Sequence, residues 1–194
     1  MVTIVTGQPR SGISMTMMLL DKGGIPAEHS PNLNSNINPY GSFETTNFQG
    51  VIDKCNGKCI KCMTPQILFD VPEGDYKVIM PVRDPEQIIF SRIEAFKMKK
   101  MPPNLDRQIG QIERHYRFIR FIISHRPDMQ LLEVPYDDYF QKTDIVIGNI
   151  ADFIGNNFDP VEAKKAIDPT YYQVRTKAEV IASLKTKTDK GAGI

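Results

Sequence analysis

The sequence predicts a three-layer α/β fold on a mainly parallel sheet of about five strands, and three observations carry that prediction. Short β-rich runs alternate with helix-forming segments, the pattern of parallel strands joined by helical crossovers. The run Lys77 to Val82 is almost entirely apolar, as a strand buried on both faces must be. A chain of 194 residues with 41% hydrophobic content suits one core.

The elements follow in order. Val2 to Thr6 is a β-rich run that begins at once. Gly7 to Gly12 is turn material, and Ile13 to Lys22 is a helix with Met15, Met18 and Leu19 at helical spacing. Gly23-Gly24 ends it. Ile25 to Glu28 reads as a short second strand, Ser30 to Gly41 as an Asn- and Pro-rich loop, and Glu44 to Asp53 as a helix. Lys58 to Met63 is the third strand and Lys77 to Val82 the fourth. Asp84 then caps a helix with Pro85 in its first position. A basic turn, Lys97 to Pro103, leads into a long helix from Leu105 to His125 with the stripe Ile109, Ile112, Tyr116, Ile119 and Ile123. Met129 to Val134 is the fifth strand. Thr143 or Asp144 caps a helix that runs through Ile154, Gly155 ends it, and a short helix starts near Pro160. Residues 1–185 thus form a single domain, and the polar residues 186–194 form a mobile tail.

Charge and composition narrow the function. Twenty-four basic and 23 acidic residues leave a formal net charge of +1. That balance argues against a general nucleic-acid binder and against an electrostatic membrane binder. No apolar run approaches the roughly 18 residues that cross a bilayer. The first residues lack the basic and apolar regions of a signal peptide. Three cysteines, Cys55, Cys59 and Cys62, crowd into one stretch. An odd count makes a disulfide framework a poor reading and a reducing, cytoplasmic setting the default. A zinc site wants four ligands, and no fourth Cys or nearby His is present in sequence. Cys59 and Cys62 fall in a strand, where they point to opposite faces, so they read as buried thiols. Lys61 in the same strand is either near the phosphate ligand or solvent-facing.

The chemistry concentrates in Gly7-Gln8-Pro9-Arg10-Ser11-Gly12-Ile13-Ser14. This stretch matches GxxxxGK[ST] except at the lysine, where Ile13 stands. The glycines let successive amides turn inward, and the helix that follows adds unpaired N–H groups and its positive dipole end. Arg10, Ser11 and Ser14 supply further donors. The fold is therefore expected to be of the P-loop type. Loss of the lysine disfavours a kinase or ATPase, which uses it at the β- and γ-phosphates. Pro9, Arg10, Ser11, Gly12, Ile13 and Ser14 are the candidate phosphate-binding residues.

Pro9 to Ser14 resembles the PRSGT[ST] form of the 5′-phosphosulfate loop of sulfotransferases that use 3′-phosphoadenosine 5′-phosphosulfate (PAPS). Arg83, at the end of the fourth strand, and Ser91, on the next helix, resemble the Arg-x7-Ser pair that binds the donor's 3′-phosphate in that family. Alone, Arg83 reads as a salt-bridge partner and Ser91 as helix surface. Their joint spacing with the loop favours function. A 3′-phosphate needs charge-assisted donors, and the carboxyl end of a strand is where open α/β sheets bind ligands. Val82 to Glu86 is similar to the family's RDP turn. Asn38 to Glu44 is similar to the NPxGxxE stretch of small prokaryotic or viral-type members, and Val134 to Asp138 resembles the YEdL turn.

The resemblance implies transfer of a sulfuryl group from PAPS to a hydroxyl or amine, with release of adenosine 3′,5′-bisphosphate (PAP) and no metal. Its acceptor is expected to be a small molecule or glycan. In one branch of the family a glutamate shortly after the second strand is the base, and in others a histidine. Glu28 holds that place here, with His29 second and Glu44 an alternative. Arg10 is a further catalytic candidate because it faces the charge on the leaving phosphate. His115 beside the apolar stripe reads as a packing residue, and His125 suits a helix C-terminus. A P-loop kinase of a small metabolite and a non-catalytic nucleotide-binding protein are the competing readings.

Overall fold

In a computed structural model of the chain, residues 1–28, 43, 48–155, 158–172 and 174–189 are described. Strand β1 (Val2–Thr6) feeds helix α1 (Ile13–Lys22), and β2 (Ala27–Glu28) follows. A short helix, α2 (Phe48–Val51), passes into a 3-10 turn at Ile52–Lys54. Strand β3 (Cys59–Cys62) and a 3-10 turn at Pro65–Phe69 lead to β4 (Tyr76–Val82). Helices α3 (Pro85–Ala95) and α4 (Leu105–Ser124) precede β5 (Met129–Pro135). Then come α5 (Asp138–Gln141), α6 (Thr143–Ile154) and α7 (Pro160–Lys164). A 3-10 turn at Pro169–Tyr171 leads to α8 (Lys177–Asp189).

The five strands form one sheet in the order β2-β3-β1-β4-β5. Every pairing is parallel, with Ile4 level with Ile60 on one side and Val78 on the other. Alternation along the strands divides the core in two. Ile4, Ile60, Cys62, Val78 and Met80 pack with α3, α4 and α8. Val5, Cys59 and Ile79 pack with α1, α6 and α7. The chain leaves β1 toward β2 and leaves β4 toward β5. The carboxyl ends of β1 and β4 therefore flank a switch point, where open α/β sheets hold their ligands.

Local chemistry explains most of these elements. Asp84 accepts from Gln87 N at 2.9 Å, and Pro85 occupies the first helical position, so α3 starts as expected. Asp159 caps α7 in the same way, accepting from Val161 N and Glu162 N. Ile112, Tyr116, Ile119 and Ile123 of α4 are buried, and Ile109 packs at the margin. Cys59 and Cys62 lie in opposite halves of the core as free, buried thiols.

Three boundaries differ from expectation. The expected helix over Glu44–Asp53 is described only from Phe48, and its second half is a 3-10 turn. The cap of α6 is Lys142, without a side-chain bond, because the Thr143 hydroxyl donates back to Tyr139 O at 2.7 Å. Helix α8 runs to Asp189, past the point where a tail was expected, and it anchors through Val180 and Leu184.

Between α7 and α8 the chain crosses from one face of the sheet to the other. Tyr172 stacks on Phe140 with ring centroids 4.7 Å apart. Three residues later Arg175 is bracketed by the Gln87 side chain, which donates to Arg175 O at 2.8 Å and accepts from Arg175 N at 3.0 Å. Arg175 also pairs with Glu94 at 2.7 Å. Among the described residues no helix is long and apolar enough to cross a membrane.

Candidate functional site

The loop between β1 and α1 turns through left-handed backbone at three positions. Gly7 and Gly12 have φ of 149° and 108°, and Arg10 is left-handed at 77°. The Ser11 amide donates to Gln8 O at 3.0 Å and closes the turn. Helix α1 starts at Gly12 without a side-chain cap, so its first-turn amides find no acceptor in the helix. They point where an anion is stabilised. Ile13 fills the position of the missing lysine with a core side chain, 3% exposed and packed with Val5 and Met15. Ser14 is buried in the first helical turn, and the Ser11 hydroxyl is buried without a hydrogen-bond partner. Pro9 is exposed at the tip.

Arg83 and Ser91 come to this same loop. Arg10 Nε donates to Ser91 Oγ at 3.0 Å, and Arg83 Nη1 donates to Arg10 O at 3.1 Å. The Arg83 amide donates to the Tyr116 hydroxyl at 3.2 Å, so α4 fixes the backbone at the end of β4. The Arg83 guanidinium lies 4.2 Å over the Tyr136 ring. Tyr136 also packs against Gly12, where a Cβ would stand 2.9 Å from Cδ2. Burial, and then the neighbouring Arg83 charge, push the Arg10 guanidinium below its ordinary value. Two guanidinium groups that meet at one loop, beside uncapped amides, can favour a multiply charged anion. A cleft of about 610 Å³ opens beside them at the carboxyl ends of β4 and β5, lined by Arg83, Tyr116, Arg117, Arg120 and Tyr136.

Other candidates sit apart from this cluster. Glu28 is on β2, two strands from β1, and pairs with Lys58 at 2.8 Å. The pair lifts the Lys58 ammonium above its usual value. His29, Glu44 and the Asn38–Gly41 stretch lie outside the described residues. Lys61 is not solvent-facing: it is 8% exposed, at the register of Val5, one residue below the end of β1. His115 lies in α4 close to the Gly7 backbone with its Nε2 buried, and burial pushes its pKa down. Burial likewise raises the thiol of Cys62, to about 12, so it is held as a neutral thiol.

Sequence reasoning missed the roles of Tyr116 and Arg92. Tyr116 read as one more member of an apolar stripe, although its hydroxyl was a signal that the buried side chain needs a polar partner. Arg92 follows Ser91 directly and also reaches the loop, at Gln8 and Pro9.

The sulfotransferase-domain family model matches residues 59–192. The chain belongs to the sulfotransferase family. The matched stretch contains Arg83, Ser91 and Tyr136, and the loop at 7–14 lies ahead of it. No curated protein matches the chain. Among solved structures, the sulfotransferase domain of the curacin biosynthetic pathway is 14% identical, with 96% of each chain covered and a TM-score of 0.49. The sulfotransferase domain of the Synechococcus PCC 7002 olefin synthase is 15% identical, with 96% of this chain and 94% of that chain covered and a TM-score of 0.44. Retinol dehydratase in complex with androsterone and inactive cofactor PAP is 16% identical, with a TM-score of 0.43. That alignment covers 85% of this sulfotransferase and 62% of retinol dehydratase.

Proposed function

We propose that this sulfotransferase moves a sulfuryl group from PAPS to a hydroxyl or amine of a small-molecule or glycan acceptor in a reducing, cytoplasmic setting. The observation that carries the reading is the convergence of Arg83 and Ser91 on the loop at 7–14, with Arg10 bonded to Ser91 and Arg83 bonded to the Arg10 carbonyl. The loop amides, Arg10 and Ser14 suit the 5′-phosphosulfate. Arg83 and Ser91 suit the 3′-phosphate, and the cleft that Arg83 and Tyr136 line is the candidate space for the nucleoside. The acceptor oxygen or nitrogen attacks sulfur, the bond from sulfur to the 5′-phosphate oxygen breaks, and a base takes the acceptor's proton. Adenosine 3′,5′-bisphosphate leaves with the charge that Arg10 and the loop amides stabilise. Glu28 is the first candidate for the base, ahead of His29 and Glu44, and its carboxylate must leave Lys58 to act.

The experiment measures binding of PAP and of ATP with magnesium to the native chain and to Arg83→Ala. Tight PAP binding without magnesium, weakened at least about tenfold in the variant, supports the reading. Preference for ATP with magnesium would sink it in favour of a kinase. Transfer of labelled sulfuryl from PAPS to a metabolite panel then separates an enzyme from a binder. Glu28→Gln should keep PAP affinity and lose turnover.

A further inference from the structure

We propose that Arg92 is a positioning residue for the 5′-phosphate loop, bracing it and supplying part of the positive field that the missing lysine would have given. This rests on the donor reading above and deepens it. Ser91 and Arg92 are consecutive on α3, yet both end on the loop. Ser91 accepts from Arg10, whereas Arg92 Nη2 donates to Gln8 Oε1 at 2.7 Å and to Pro9 O at 3.4 Å. The first of these bonds is short and charge-assisted, the class that fixes geometry best.

Two further observations set Arg92 apart from an ordinary surface arginine. Its partners are a neutral amide and a backbone carbonyl, and it forms no ion pair among the described residues. Half-burial pushes its guanidinium below the ordinary value, so the charge is held partly desolvated and uncancelled. His115 stands close to Gly7, and its pKa is pushed down by burial first and by the charge of Arg92 as well. Arg92 thus places a positive charge against Gln8 and Pro9 of the loop. Gln8 is 8% exposed and Ile13 contributes no cation, so that charge acts on the loop through a short, rigid link. An anion seated on the loop amides gains from it, and the bonds to Gln8 and Pro9 flank the left-handed turn at Arg10.

The test compares PAP with adenosine 3′-monophosphate, which lacks the 5′-phosphate. In the native chain the ratio of their dissociation constants reports what the loop contributes. Arg92→Ala should lower this ratio about tenfold while adenosine 3′-monophosphate binds as before. Gln8→Ala removes the acceptor without touching the charge and should lower the ratio in the same direction. A ratio unchanged in both variants overturns the brace, as does an equal loss for the two nucleotides, which a merely structural role would give. A native chain that binds neither nucleotide overturns the donor reading itself and this proposal with it.

Discussion

Gly12 lies where loop, helix and aromatic floor meet. Its φ of 108° excludes most side chains, and a Cβ would stand 2.9 Å from Tyr136. Gly12→Ala therefore meets both backbone strain and a ring that Arg83 holds in place. We expect it to destabilise the fold by about 2 kcal/mol and to weaken PAP binding at least about tenfold. Urea unfolding and calorimetric titration check the two effects, and wild-type values in both would show that Tyr136 yields freely. Arg83 is the complementary case, since its amide, its guanidinium and its ring contact each engage a different element. The sequence pointed to the loop through its glycines and hydroxyls, and to Arg83 and Ser91 through their resemblance to the family's Arg-x7-Ser pair. It did not point to Arg92, because Gln8 and Arg92 are 84 positions apart and nothing local links an amide to a guanidinium across that distance.

At the scale of elements, α3 is the part on which the site depends. It carries Ser91 and Arg92, and its first turn depends on the Asp84 carboxylate. Asp84→Ala should cost about 1 kcal/mol in stability, a typical capping loss. It should also weaken PAP binding, though less than Arg83→Ala does, because α3 is still held by Ile88, Ile89 and Ile93 in the core. Full PAP affinity in Asp84→Ala would show that the core and the Arg175 contacts position α3 without the cap. The cap of α3 was legible because Asp-Pro before an apolar stripe has one local meaning. The start of α6 was not, since the Thr143 hydroxyl turns to Tyr139 O instead of to its own helix. Helix α5 was also missed, because four residues are too few for periodicity to register. The five strands were legible because apolar β-rich runs were separated by clear turn residues.

Over the whole molecule, the end of the sheet opposite the crevice is held by a different kind of bond. Arg126 donates to Leu68 O, Val71 O and Pro72 O and forms a two-pronged pair with Asp128. The guanidinium holds the Asp128 carboxyl at about 2, against 3.8 for the free side chain. The folded value is the lower one, so the pair's stabilisation is complete above 3.8 and is lost as pH falls toward 2. Asp128→Asn should be less stable than the native chain at neutral pH, by about 2 kcal/mol, and the gap should close as the solution is acidified. Denaturant unfolding across that range checks it, and a gap that persists at the acid end would refute the pairing. PAP affinity at neutral pH should be nearly unchanged, since the pair lies at the amino ends of β4 and β5.

The crossing of Tyr172 and Arg175 from one face of the sheet to the other has a consequence for synthesis. The loop at 7–14 leaves the ribosome well ahead of residue 175, yet α3 is fastened at Gln87 and Glu94 only when Arg175 has been made. Tyr172 reaches Phe140 at the same late stage. Domains fold as units once their chain has emerged. A nascent chain halted after β5 carries every residue proposed above to bind the donor phosphates and none of these fastenings, so the crevice is begun before it is finished.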